Sequence, residues 1–155
     1  MTYRICGLEP SLIDRFRDLD DEALDQVGAR RVIADADRGF PCRASLRDAD
    51  RGEALILFHH VSHDVATPYR SAYAIYIREA ADRMACGEGE IPPVFEGRPL
   101  ALRQFSANGM LRAASLAEPG EADEKLREAF ADPSIEYVDV HNAAHGCFAA
   151  RAERA

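Results

Sequence analysis

Pro41-Cys42-Arg43 and His141-Asn142, the latter followed by Gly146-Cys147, are the stretches whose residue types could do chemistry. A thiol beside a guanidinium is held more readily as the nucleophilic thiolate. The same guanidinium can grip an anion through two parallel N–H donors. An imidazole adds a proton-transfer group, and a carboxamide adds a hydrogen bond to the ligand. The pattern nominates Cys42 and His141 as catalytic residues, Arg43 and Asn142 as ligand-binding residues, and a small anion as the ligand. The plainer reading has Cys42 and Cys147 in the core, because small thiols are among the most buried side chains. No cysteine-hydrolase signature surrounds either thiol. Core therefore ranks ahead of catalysis.

Other clusters are weaker. Period-two alternation puts Asp139 and His141 on the same side of one strand, where a carboxylate could orient an imidazole. A solvated strand face is the simpler account. His59 and His63 are four apart, as are His141 and His145. That spacing brings two imidazoles together on a helix, but along a strand four residues span about 13 Å. No metal site is expected. Arg43, Arg47 and Arg51 are interleaved with Asp48, Asp50 and Glu53, which favours local ion pairs over an anion clamp. A P-loop, a dinucleotide fingerprint, a nucleophile elbow and a calcium loop are all missing, so no cofactor is expected either.

The elements that must position these residues are mostly strands. Residues 2–8 alternate weakly, as a short first strand would. Ser11 with Asp14, and then Asp20, resemble N-caps of two short helices that end at Gly28. Residues 29–35, 54–60 and 73–79 read as strands, the second a nearly continuous apolar run. Residues 83–96 carry two glycines and Pro92-Pro93 and read as a loop. Asn108-Gly109 marks a hairpin between 100–106 and 110–116. Residues 121–131 form the clearest helix, burying Ala122, Leu126, Ala129 and Phe130. Residues 135–142 and 147–153 make a last hairpin. The expectation is an α+β fold: one largely antiparallel twisted sheet of six to eight strands, with two N-terminal short helices and one C-terminal helix on one side or edge.

Composition bounds the function. The 155 residues include 27 acidic and 19 basic side chains, for a net charge of −8, and 47% are hydrophobic. That is a globular balance for a single domain over 1–155. An acidic chain is a poor general nucleic-acid binder. No apolar run approaches a membrane span, and the first ten residues lack the apolar core of a signal peptide, so a cytoplasmic location and no membrane partner are expected. Four widely spread cysteines without a Cys-x-x-Cys pair are expected to be free thiols.

Gly39-Phe-Pro-Cys-Arg-Ala-Ser-Leu, with Asp48-Ala and Gly52-Glu, is a distinctive opening to the central region. Pro68-Tyr-Arg-Ser, Ile75-Tyr-Ile-Arg-Glu and Val140-His-Asn-Ala-Ala-His-Gly-Cys-Phe-Ala-Ala-Arg follow. In these motifs, and over its whole length, the chain resembles the domain of unknown function 1203 family of short bacterial proteins. The resemblance implies no reaction, cofactor or site residue. Three readings of function follow, in order of preference: a pocket that binds or transforms a small anion, a non-catalytic module that self-associates as a homo-oligomer, and a histidine metal site.

Overall fold

Asp20 starts the first α-helix: its carboxylate accepts the amide N–H of Ala23 at 2.8 Å. Helix α1 (Asp21–Gln26) stops before Gly28, whose φ of +72° a side chain would resist. The segment before it, Pro10–Phe16, is a 3-10 helix rather than an α-helix, with Pro10 at its first turn. The computed structural model describes residues 2–155. Its strands are β1 (Tyr3–Cys6), β2 (Arg30–Ile33), β3 (Ala54–His63), β4 (Ser71–Arg78), β5 (Cys86–Glu88), β6 (Leu100–Phe105), β7 (Leu111–Ala117), β8 (Tyr137–Asn142) and β9 (Phe148–Arg154). A second 3-10 turn covers Pro93–Phe95, and helix α2 runs over Ala122–Ala131.

The α+β class holds, but the single sheet does not. Among the described residues there are two antiparallel sheets, ordered β5-β1-β9-β8-β6-β7 and β2-β3-β4. The smaller sheet is a local meander. The larger one closes through β1 against β9, a pairing between the two ends of the chain that no local period reports. Helices also lie in two places rather than on one side: α1 packs with the smaller sheet and α2 on the larger. Leu126 and Phe130 of α2 pack with Tyr3, Leu102, Val138, Val140 and Ala150 on one face of the larger sheet. A second core joins Ile13, Phe16 and Leu24 to Ile56, Phe58, Ile75 and Ile77 of the smaller sheet.

The two sheets meet on the other side of β8. The Tyr137 hydroxyl lies 2.8 Å from Nε2 of His63, and the His141 ring sits edge-on to Tyr73 with centroids 5.0 Å apart. Asp139 is 1% exposed and takes a two-pronged bond from Arg151, at 2.6 and 3.0 Å. The solvated face expected for Asp139 and His141 is therefore a buried seam. Asp139 serves Arg151 there, while the ring Nδ1 of His141 pairs with the Gly146 carbonyl at 2.9 Å.

Residues 83–96 are corrected as well. β5 forms against β1, and Cys6 faces Cys86 in that pairing and is joined to it by a disulfide. Only Cys42 and Cys147 remain free. A bond between residues 80 apart in sequence is a product of tertiary pairing, which spacing alone did not reveal. Disulfides persist in oxidising surroundings, so this pair lends no support to the cytoplasmic expectation. Among the described residues no helix is long and apolar enough to cross a membrane.

Candidate functional site

Residues 39–47 form the joint between the sheets. Arg43 N–H donates to the Tyr76 carbonyl of β4 at 2.9 Å, while the Arg43 carbonyl accepts from Leu8 at 2.7 Å and the Ala44 carbonyl from Ala85 at 2.9 Å. The approach is close enough that a Cβ on Gly7 would lie 2.2 Å from the Ala44 carbonyl oxygen. Leu46 ends the turn at φ +53°, a left-handed conformation costly for a leucine. Its side chain is 2% exposed in the larger core, which holds it there.

Glu53 braces this joint from below. It accepts from Arg78 at 2.5 and 3.0 Å, from Asp50 N–H at 2.6 Å and from Arg47 at 3.3 Å, and Arg78 also donates to Ser45. The Arg78 bonds above all, against partial burial, hold its carboxyl at about 2. A carboxyl held below its unfolded value stabilises the fold above that value and loses the contribution as pH falls through the folded one. Glu53→Gln should therefore cost about 2 kcal/mol near neutral pH, a figure discounted for its residual exposure. The gap to wild type should close as pH falls from about 4.5 to about 2. Urea unfolding at stepped pH measures this. A gap that stays constant across that window would assign the loss to something other than charge.

Above the joint a crevice of about 590 Å³ opens between β4 and the β8–β9 turn. Arg43 and Asn142, the two residues nominated for ligand binding, both line it, together with Tyr73, Tyr76, Arg98, His145 and Cys147. Cys42 and His141, the nominated catalytic pair, do not. Cys42 is fully buried in the smaller sheet's core, its sulfur accepting the N–H groups of Ser45 and Arg78 at 3.4 and 3.3 Å. His141 is 3% exposed behind the wall. The physical reason is alternation: neighbours in an extended chain point to opposite sides. That holds for His141 and Asn142 at the end of β8; Cys42 lies in the core at its bridge to Tyr76, and Arg43 reaches the crevice from the turn that follows.

The guanidinium of Arg43 crosses the joint. Nε donates to the Phe148 carbonyl at 2.9 Å, Nη1 to the Pro41 carbonyl at 2.6 Å, and Nη2 to the Cys147 sulfur at 3.1 Å. Burial pushes its pKa down, opposed chiefly by Cys147 and then Cys42. Among the described residues no carboxylate forms an ion pair with it. Arg98, by contrast, is gripped by Asp48 at 2.7 and 3.0 Å. Burial also pushes the His141 pKa down, with the Gly146 carbonyl opposing it. A carbonyl only accepts, so the proton of neutral His141 sits on Nδ1. No group of three His, Cys, Asp or Glu side chains fit to hold a metal occurs among the described residues.

The thiol of the site is thus Cys147. The sequence offers it beside Gly146 but ranks it with the core. Tyr73, Tyr76 and Arg98 carry no local signal that marks them as site residues, and His145 stands out only by its spacing from His141.

With this geometry in place, a comparison with known families is decisive on kinship. A family described as proteins of unknown function (DUF1203) matches residues 39–154. The chain belongs to that family. The match begins at Gly39, so it takes in every residue lining the crevice and leaves out β1, the first 3-10 helix, α1 and β2, where resemblance over the whole chain was expected. No curated protein and no solved structure matched the chain.

Proposed function

We infer that the crevice binds a small anionic molecule with a flat or apolar body. The observation that carries this is Arg43: a guanidinium 2% exposed, at the wall of a cavity, without a carboxylate to balance it. Buried charges are otherwise paired, because desolvating a lone one is expensive. The lining as a whole agrees. In a chain of net charge −8, the cavity lining holds Arg43, His145 and an Arg98 already paired with Asp48, and no Asp or Glu. Tyr73, Tyr76, Pro41 and Pro99 supply apolar surface beside them, and the volume suits a small ligand.

Benzoate and benzamide test this reading, since they share shape and differ in charge. At low ionic strength, benzoate at about 100 times its dissociation constant should stabilise the protein by about 2.7 kcal/mol in thermal unfolding. Benzamide should do much less, and added salt should weaken the benzoate effect. Equal responses to the two, or no response to benzoate or to inorganic phosphate, would rule out an anion site.

A further inference from the structure

The one group among the described residues that is hydrogen-bonded to the Arg43 guanidinium and can become an anion is the Cys147 thiol. The other partners are two backbone carbonyls, which satisfy N–H groups without neutralising charge. Asn142 points to the same place independently. It is 8% exposed, lines the crevice, and its Nδ2 lies 3.6 Å from the Cys147 sulfur. Its Oδ1 is buried with no donor in the protein. Orphaned buried acceptors are rare in folded proteins, and one in a cavity wall is suited to a donor carried by a ligand. A sulfur that accepts from a guanidinium and an amide, at the mouth of a cavity, is placed to react.

We propose that Cys147 is the nucleophile of this crevice and that, as a thiolate, it attacks a small electrophile bearing a carboxylate. The proposal rests on the anion-binding reading above. The thiol proton passes to solvent. A sulfur lone pair then forms a bond to the electrophilic carbon, the bond from that carbon to its leaving group breaks, and the leaving group departs with the electron pair. Oxidation states of the partners need no outside oxidant or reductant.

Charge conservation names the substrate class. During the step the thiolate balances Arg43, which in the resting protein has no carboxylate partner among the described residues. Afterwards the sulfur is neutral, and the buried guanidinium would be left uncompensated, the costly half of a broken ion pair. A carboxylate on the attached group restores the balance within reach of the same N–H donors. A neutral electrophile of the same size cannot.

Iodoacetate and iodoacetamide are the probes, used on the intact protein with its disulfide formed. With ordinary thiols the neutral reagent is the faster, because a carboxylate and a thiolate repel each other. At Cys147 the order is expected to reverse, with iodoacetate faster by about tenfold at low salt and the preference shrinking as salt is added. Mass spectrometry locates the label, and Cys42 should stay unlabelled. The carboxymethyl adduct should also melt at a higher temperature than the carbamidomethyl adduct. The order seen with a free cysteine peptide, or first labelling at Cys42, would overturn the proposal. Cys147→Ser separates this failure from failure of the anion site. Having lost the sulfur but kept Arg43, it should still bind benzoate. Benzoate binding in Cys147→Ser together with ordinary reagent selectivity would reject the nucleophile and retain the anion site. Absence of benzoate binding in a Cys147→Ser protein with native circular dichroism would reject both.

Discussion

Replacing Cys6 and Cys86 by serine is expected to lower the unfolding free energy by about 4.5 kcal/mol, the loop-closure value for a bridge between residues 80 apart. Most of that loss acts through the unfolded chain, which gains freedom once the loop is open. Reduction of the wild-type protein should reproduce it. Urea unfolding of oxidised, reduced and double-serine proteins measures it, and a difference under about 1 kcal/mol would mean that the bond does not constrain the chain as the loop model requires. The consequence reaches the crevice. Ala85, next to Cys86, accepts from Gly7 and donates to Ala44, so the disulfide pins one side of the joint that carries Arg43. Reduced protein should therefore show faster amide exchange at Gly7 and Ala85 before it unfolds globally.

The pieces of this fold that were legible in the sequence are those with local causes. Leu126 and Phe130 repeat at the period of a helix and lie on the buried side of α2. Asn108-Gly109 turns β6 into β7, with Gly109 at φ +76°. Asp20 caps α1 because capping is a contact between residues three apart. What failed had distant causes. β5 has only three residues and exists because β1 lies beside it, so residues 83–96 look like loop until that partner is known. The split into two sheets depends on which hairpins join, and period-two alternation is the same either way.

The site divides along the same line. Arg43 and Asn142 were legible because each lies in a short segment with a proline or a glycine, Pro41 and Gly146, where a plain core needs no polar group. Their sequence neighbours Cys42 and His141 were drawn in with them, although strand alternation already argues against two adjacent side chains sharing one crevice. The partner that Arg43 meets, Cys147, is 104 residues away in the chain. Each segment shows its own reactive groups, while their meeting is a property of the joint between the sheets.

Arg43 itself should give the second large effect, and two substitutions separate its parts. Arg43→Met keeps most of the apolar stem and removes the charge and the fork. It leaves the Phe148 and Pro41 carbonyls without their donors, at roughly 1–3 kcal/mol each, and it relieves the desolvation of a buried cation. The net expectation is a loss of about 2–3 kcal/mol in unfolding free energy and no stabilisation by benzoate at any concentration. Arg43→Lys keeps the charge on a flexible stem, and an ammonium cannot present donors in one plane to Phe148, Pro41 and Cys147 together. It should retain benzoate binding weakened by about tenfold or more, equivalent to about 1.4 kcal/mol, with the carboxylate-over-amide preference intact. Thermal unfolding and benzoate titration of the three proteins provide both readouts. If Arg43→Met still responds to benzoate as wild type does, the anion is held elsewhere in the crevice. Equal binding by the lysine variant would mean that charge alone, without the planar fork, defines the site.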